Sequence, residues 1–238
     1  MNKMTEHYAE TATPWEGLSL KDRVLLKIID GLNRRGSHTN PQHIHKNIET
    51  FLMSLSDEFI DLLPENAQGL DIGAGKGMMS KVLLPRKTYN LDINPPSDGF
   101  QPQIKGRAEE LPFENERFDY ALFLYSLNHF ENPRTAICES NRVLKHGGYL
   151  IAMVESLRFP GQERFVHLNE ISMERIIFGE TNKPYSARNE NYVPKEEFEG
   201  LTASLRFEPI IKKDFKPTRS LDMLFKTQKS LYVMRKPS

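Results

Sequence analysis

The sequence predicts an α/β fold on an open, mostly parallel sheet, and three observations carry that prediction. Short apolar runs alternate with helical stretches from residue 69 onward. The first of these runs enters a glycine-rich turn, Asp71-Ile72-Gly73-Ala74-Gly75-Lys76-Gly77. The second ends on an aspartate, Asp92. Strands that alternate with helices are joined by right-handed crossovers and so lie parallel, which places ligands at their carboxyl ends.

Taken in order, residues 1–16 are polar and patternless and read as a mobile arm. Residues 17–65 read as an N-terminal helical cap. Val24, Leu25, Ile28, Ile29 and Leu32 recur at spacings of one, three and four, a stripe expected to bury one helix face in a core or a subunit interface. A second helical stretch is expected over 41–55. Residues 69–72 and 89–93 form the first two strands, the second stopped by Pro95-Pro96, and a third is expected near Ile104. Residues 118–124 make a strong fourth strand, followed by a helix over 134–144 with Ala136, Ile137, Val143 and Leu144 apolar. Lys145-His146-Gly147-Gly148 then turns the chain into a fifth strand, 149–154. Residues 155–193 are irregular and polar with scattered aromatics, a lid-like insertion of the kind that carries substrate contacts. A helix over 195–204 and strands over 207–215 and 230–235 close the sheet with an antiparallel edge. Residues 66–238 are thus expected to form one domain, with 155–193 as its insertion.

A chain of 238 residues buries enough apolar surface to fold without disulfides or metals. Its single cysteine, Cys138, fits a reducing, cytoplasmic setting. Lys plus Arg and Asp plus Glu both number 32, so the net charge is zero and no nucleic-acid partner is expected. No run approaches the ~20 apolar residues of a membrane span, and nothing at the N-terminus resembles a signal peptide. His43 and His45, with His38 nearby, lack a completing Cys or carboxylate cluster, so no metal site is expected.

Glycine at alternate positions between a strand and a helix allows a tight turn and close approach of a ligand to bare backbone, beside the positive end of the helix dipole. Asp92, 21 residues after Asp71, stands where folds of this kind place a carboxylate against ribose hydroxyls. The third glycine comes one residue earlier than in the dinucleotide fingerprint, with Met78 at the fingerprint position, which favours a nucleoside ligand without a pyrophosphate. A P-loop is excluded.

Further segments extend the pattern: Gly106-Arg107-Ala108-Glu109-Glu110-Leu111-Pro112-Phe113, Phe118-Asp119, Asn128-His129, and Arg142-Val143-Leu144-Lys145-His146-Gly147-Gly148. In this order and spacing, residues 69–154 resemble the Rossmann-like class I S-adenosylmethionine-dependent methyltransferases, especially the ubiquinone and menaquinone biosynthesis group. The resemblance implies S-adenosylmethionine as cofactor and S-adenosylhomocysteine as product. It places Gly73, Ala74, Gly75 and Gly77 along the methionine and ribose, Asp71 toward the amino group and Asp92 on the ribose hydroxyls. It also places Ile93 on the adenine, Ala108 and Glu109 beside the adenine edge, and Leu124 and Tyr125 next to the transferred methyl. Two departures stand out. The family often has an acidic residue where this chain has Arg107, so either Glu109 takes the adenine amino group or backbone and packing hold the ring. Only about ten residues join Ile93 to the next strand, too few for a crossover helix, which leaves a sheet face for the N-terminal helices or for the partner of a homodimer to cover.

Methyl transfer from a sulfonium is an in-line displacement that needs positioning and, for an oxygen nucleophile, a base. His129, after the fourth strand, is the first candidate base; Asn128 is placed to orient an acceptor, and Glu155 follows the fifth strand into the same region. His167, Tyr185 and Tyr192 belong to the insertion, and Tyr8 and Trp15 to the arm. The expected substrate is a small molecule. The same fold can instead use the sulfonium in a cyclisation or rearrangement, or serve as a non-catalytic scaffold.

Overall fold

The computed structural model describes residues 19–35, 59–77, 86–97, 99–100, 102–178, 191–215 and 227–238. The arm with Tyr8 and Trp15, the stretch 41–55, His38, His43, His45, Tyr185 and the helix expected after Gly77 lie outside the described residues. The chain divides into two compact units. One comprises residues 1–50, 157–188 and 217–227; the other comprises 51–156, 189–216 and 228–238.

The larger unit is built on a seven-stranded sheet: β1 (Gln68–Ile72), β2 (Lys87–Asp92), β3 (Gln103–Lys105), β4 (Phe118–Phe123), β5 (Leu144–Ser156), β6 (Glu208–Phe215) and β7 (Gln228–Arg235). Their order is β3-β2-β1-β4-β5-β7-β6. The first five strands pair in parallel, and β7 runs antiparallel to both β5 and β6. This is the expected open sheet with an antiparallel C-terminal edge.

Side chains alternate across a strand, so each central strand feeds two cores. Ala121 and Phe123 of β4, Leu150, Ala152 and Val154 of β5, and Tyr232 and Met234 of β7 share one face. There they join Ala136, Ile137 and Val143 of the helix Pro133–Val143 and Phe198 of the helix Lys195–Ser204. Tyr120, Leu122, Ile151, Met153, Leu231 and Val233 fill the other face with Phe59, Leu63 and Ala67. Burial on both faces explains why these strands read as continuous apolar runs. Close packing appears at Gly69, where an added Cβ would fall 1.9 Å from the Tyr120 ring. The Tyr120 hydroxyl bonds Thr88 Oγ1 at 2.7 Å, and burial pushes its pKa up to about 12.

Helix α2 (Pro133–Val143) begins with Asn132 accepting from the Thr135 N–H and proline in its first turn. Its far end is closed from β7's side: Lys236 Nζ, whose pKa burial lowers, donates to the carbonyls of Asn141 and Leu144 at 2.8 Å. Residues 145–148, read from sequence as a turn before the fifth strand, lie inside β5. Phe118 pairs with Leu144 but Tyr120 pairs with Tyr149, so they bulge out, with Gly147 at φ +74°. Helix α4 (Lys195–Ser204) completes the unit.

The short link from β2 to β3 contains no helix among its described residues. It is stitched instead to the glycine loop. The Phe100 N–H donates to Lys76 O, Asn90 Nδ2 donates to Phe100 O, and Gln103 Nε2 reaches Gly75 O.

In the smaller unit, α1 (Leu20–Arg35) packs on α3 (Gln162–Phe178) through Leu26, Ile29, Leu168 and Ile171. Asp22 accepts from Arg164 Nε at 2.6 Å. Two expectations are corrected here. The stretch read as irregular contains a helix, hidden in the sequence because its buried side includes the polar residues Gln162, Asn169 and Ser172. The buried face of α1 is set by Leu26 and Ile29, while Val24 and Ile28 are exposed. Apolar residues occupy more than one side of α1, and spacing alone does not choose between the sides.

Candidate functional site

The carboxyl ends of β1 and β2 hold the glycine loop. The N–H groups of Gly73 and Ala74 both donate to Leu91 O, at 2.8 and 3.0 Å, which ties the loop to the end of β2. Gly73 and Gly77 both have φ +74°. A Cβ on Gly73 would meet Ser126 Cβ at 2.6 Å, and one on Gly77 would meet the Asn90 side chain at the same distance. Gly75, at φ +54°, faces open space. Two glycines therefore serve the packing of the loop, and the third leaves its backbone accessible.

Asp92 closes this half of the site. Its Oδ2 accepts from the Gly75 N–H at 2.9 Å and its Oδ1 from the Asn94 N–H at 2.9 Å. Ile93, next in sequence, presents a side chain in a residue 52% exposed, an apolar surface beside a half-buried carboxylate. Asp71 lies behind the loop, 4% exposed. Burial, helped by the charge of Asp92, pushes its pKa up to about 7. A cation beside these two carboxylates would favour the charged form of Asp71.

Ala108 is buried. Glu109 Oε1 accepts from the Asn132 N–H at 3.1 Å at the start of α2, and Arg107 pairs with Glu131 and, at 3.6 Å, with Glu109.

At the end of β4, Leu124 and Tyr125 are half-buried, and Tyr125 adopts φ +57°, an uncommon conformation for a non-glycine residue. Ser126 Oγ donates to Ile72 O at 2.6 Å, binding this turn to the end of β1. Burial, and then the charge of Glu155, raises the Tyr125 phenol well above its ordinary range and keeps it neutral. Glu155 and Lys229 are direct cross-strand partners. Lys229 Nζ stands 2.9 Å from Glu155 Oε1 and 4.3 Å from the centre of the Tyr125 ring. Strand alternation extends the rows Ile151-Met153 and Val233-Leu231 to these two residues, so an apolar sheet face ends in an ion pair at its carboxyl rim.

Lys229 was missed from the sequence. The signal for β7 was legible, but the register that sets Lys229 opposite Glu155 is a tertiary fact. Asn128 and His129 belong to a short 3-10 turn after β4. Asn128 is buried, and its carbonyl accepts from the Asn191 N–H at 2.7 Å; Asn191 Nδ2 donates to Phe130 O. Asn191, also unforeseen, ties the candidate catalytic turn to the segment before α4. Tyr192 lines a cavity of about 320 Å³ with Pro133, Asn191 and Val193. His167 lies on α3, in the other unit. Among the described residues, no group of three His, Cys, Asp or Glu could hold a metal, and no helix is long and apolar enough to cross a membrane.

Residues 70–152 match the family model described as a methyltransferase domain. An uncharacterised protein of Methanocaldococcus jannaschii is 34% identical over 87 residues, 35% of this chain and 42% of that protein. The chain spans less than half the length of the curated relatives it matches. Among solved structures, a S-adenosylmethionine-dependent methyltransferase of Methanosarcina mazei superposes with a TM-score of 0.53 at 20% identity, covering 74% of this chain and 95% of that one. The [4+2]-cyclase SpnF superposes with a TM-score of 0.55 at 18% identity, covering 78% and 80%. At these identities the likeness to the solved structures is one of fold.

Proposed function

We propose, for a chain whose residues 70–152 match a methyltransferase domain, that it is a class I S-adenosylmethionine-dependent methyltransferase and transfers the methyl group of S-adenosylmethionine to an oxygen, nitrogen or carbon nucleophile of a small molecule. The observation that carries this reading is the Gly75–Asp92 bond, made in a loop where Gly75 faces open space. The residues present fit the cofactor. Asp92 offers carboxylate oxygens to a ribose, Ile93 an apolar surface to a purine, and buried Asp71 a negative charge to an ammonium group.

The bound cofactor supplies an electrophilic methyl on a sulfonium. The chain does the rest. Gly73 and Ala74 hold the loop on β2, while Gly75 and Gly77 shape the space over the sheet. Ala108 and Glu109 flank the purine edge, and Leu124 with Tyr125 borders the methyl. Asn128 orients the acceptor, and His129 or Glu155 takes its proton when the nucleophile is an oxygen. Positioning supplies most of the rate, since a displacement in line has little covalent chemistry for the protein to perform.

Calorimetric titration with S-adenosylmethionine and S-adenosylhomocysteine tests the cofactor. Micromolar binding supports the reading, and no binding by folded, ligand-free protein overturns it. A screen of phenols, carboxylic acids and amines with methyl-labelled cofactor tests the reaction. S-adenosylhomocysteine formed together with labelled product supports transfer, whereas product formed over unchanged cofactor would point to a rearrangement.

A further inference from the structure

Helix α1 carries two apolar stripes, of which one packs on α3 among the described residues. Leu26 and Ile29, at 0% and 1% exposure, pack on Leu168 and Ile171 of α3. Leu20, Val24 and Ile28 recur every four residues along another side and are 79%, 54% and 55% exposed. The charged residues of α1 are sorted around this second stripe. On a helix of 3.6 residues per turn, Lys21 borders it on one side and Arg23 and Lys27 on the other, and all three are exposed. Asp22 turns away, engaged by Arg164 and Ser19, while Asp30, seven residues on from Arg23 and half-buried, lies just outside the arc on the Arg23 side. Among the described side chains of α1, the bare arc holds three aliphatic residues, three cations, Gly31 and no acid, in a chain whose net charge is zero.

We propose that this arc of α1 docks on an anionic lipid surface. Aliphatic side chains enter the boundary between headgroups and acyl chains while flanking lysines and arginines meet lipid phosphates, and a helix with this division lies in the plane of the membrane. The charge argues against the other occupants. A second copy meeting this face by two-fold symmetry sets Lys21, Arg23 and Lys27 against themselves. A nucleic-acid backbone answers the cations but leaves Leu20, Val24 and Ile28 against phosphates.

The test is co-sedimentation of the full chain with large vesicles of phosphatidylcholine alone and of phosphatidylcholine mixed with phosphatidylglycerol. Two variants are compared with wild type: Val24→Glu/Ile28→Glu and Lys21→Gln/Lys27→Gln. All four positions are exposed, and unchanged melting temperatures confirm that the fold is kept. The expected result is binding to the mixed vesicles that weakens with salt and drops at least tenfold in each variant. Failure to bind the mixed vesicles, equal binding to neutral vesicles, or binding unaffected in both variants overturns the proposal. So does a wild-type dimer in sedimentation velocity that Val24→Glu/Ile28→Glu converts to monomer, which would assign the face to a second copy. None of these readouts depends on the cofactor.

Discussion

The backbone N–H of Gly75 donates to the carboxylate of Asp92 at 2.9 Å, joining the loop after β1 to the end of β2. One carboxylate thus shapes the loop and, in the proposed function, meets the ribose. Replacing Asp92 with Ala removes both contributions. The expected outcome is a dissociation constant for S-adenosylhomocysteine raised at least tenfold, or about 1.4 kcal/mol, measured by calorimetry. Unchanged affinity would remove Asp92 from the site.

Asp71 gives the affinity a pH dependence. Its pKa in the folded protein is about 7, against an ordinary 3.8, because it is buried and lies near Asp92. Between these values the folded chain holds a proton that the unfolded chain has lost. The free protein is therefore expected to lose stability as pH rises from about 4 to 7. A ligand ammonium favours ionised Asp71, so cofactor binding releases a proton below pH 7 and tightens as pH rises to that point. Calorimetry across this range in buffers of different ionisation enthalpy reads the proton, and Asp71→Asn is expected to flatten the profile.

Gly69→Ala tests the packing beneath the site. The new methyl would lie 1.9 Å from the ring of fully buried Tyr120, which Thr88 holds by its hydroxyl. Overpacking of this kind costs about 1–3 kcal/mol, so thermal unfolding is expected several degrees lower. An unchanged midpoint would mean that the ring is free to move.

The rim cluster separates binding from chemistry. With an acceptor in hand, Glu155→Gln and His129→Ala are each to be assayed for kcat and for cofactor affinity. The residue that acts as base is expected to lose about 100-fold or more in kcat with cofactor binding intact. Lys229→Met, which removes the partner of Glu155, is expected to lower kcat with cofactor affinity intact, and Lys229→Arg to restore it. An unchanged kcat in Lys229→Met would leave Lys229 only a structural part.

The glycine loop and its acidic partner were legible in the sequence because they are local. Gly73, Gly75, Gly77 and Asp92 lie within two adjacent strand ends, and their spacing reports directly on backbone geometry. The sheet was legible for the same reason, since strands buried on both faces announce themselves as apolar runs. Lys229 and Asn191 were not legible. Each acts by pairing with residues far away in the chain, Glu155 through strand register and Asn128 through a loop contact. Helix α3 was hidden by its buried Gln162, Asn169 and Ser172, and the bare stripe of α1 by a periodicity with two solutions.

The pairing of β5 with β7 gives the two halves of the site different birthdays on the ribosome. Residues 71–93 can assemble once the first strands have emerged. Glu155, however, waits beside an unfilled sheet edge until α3, α4 and β6 have been made and Lys229 arrives. Domains fold as the chain emerges, so the nascent protein completes the glycine loop and its Asp92 bond before the rim that pairs Glu155 with Lys229.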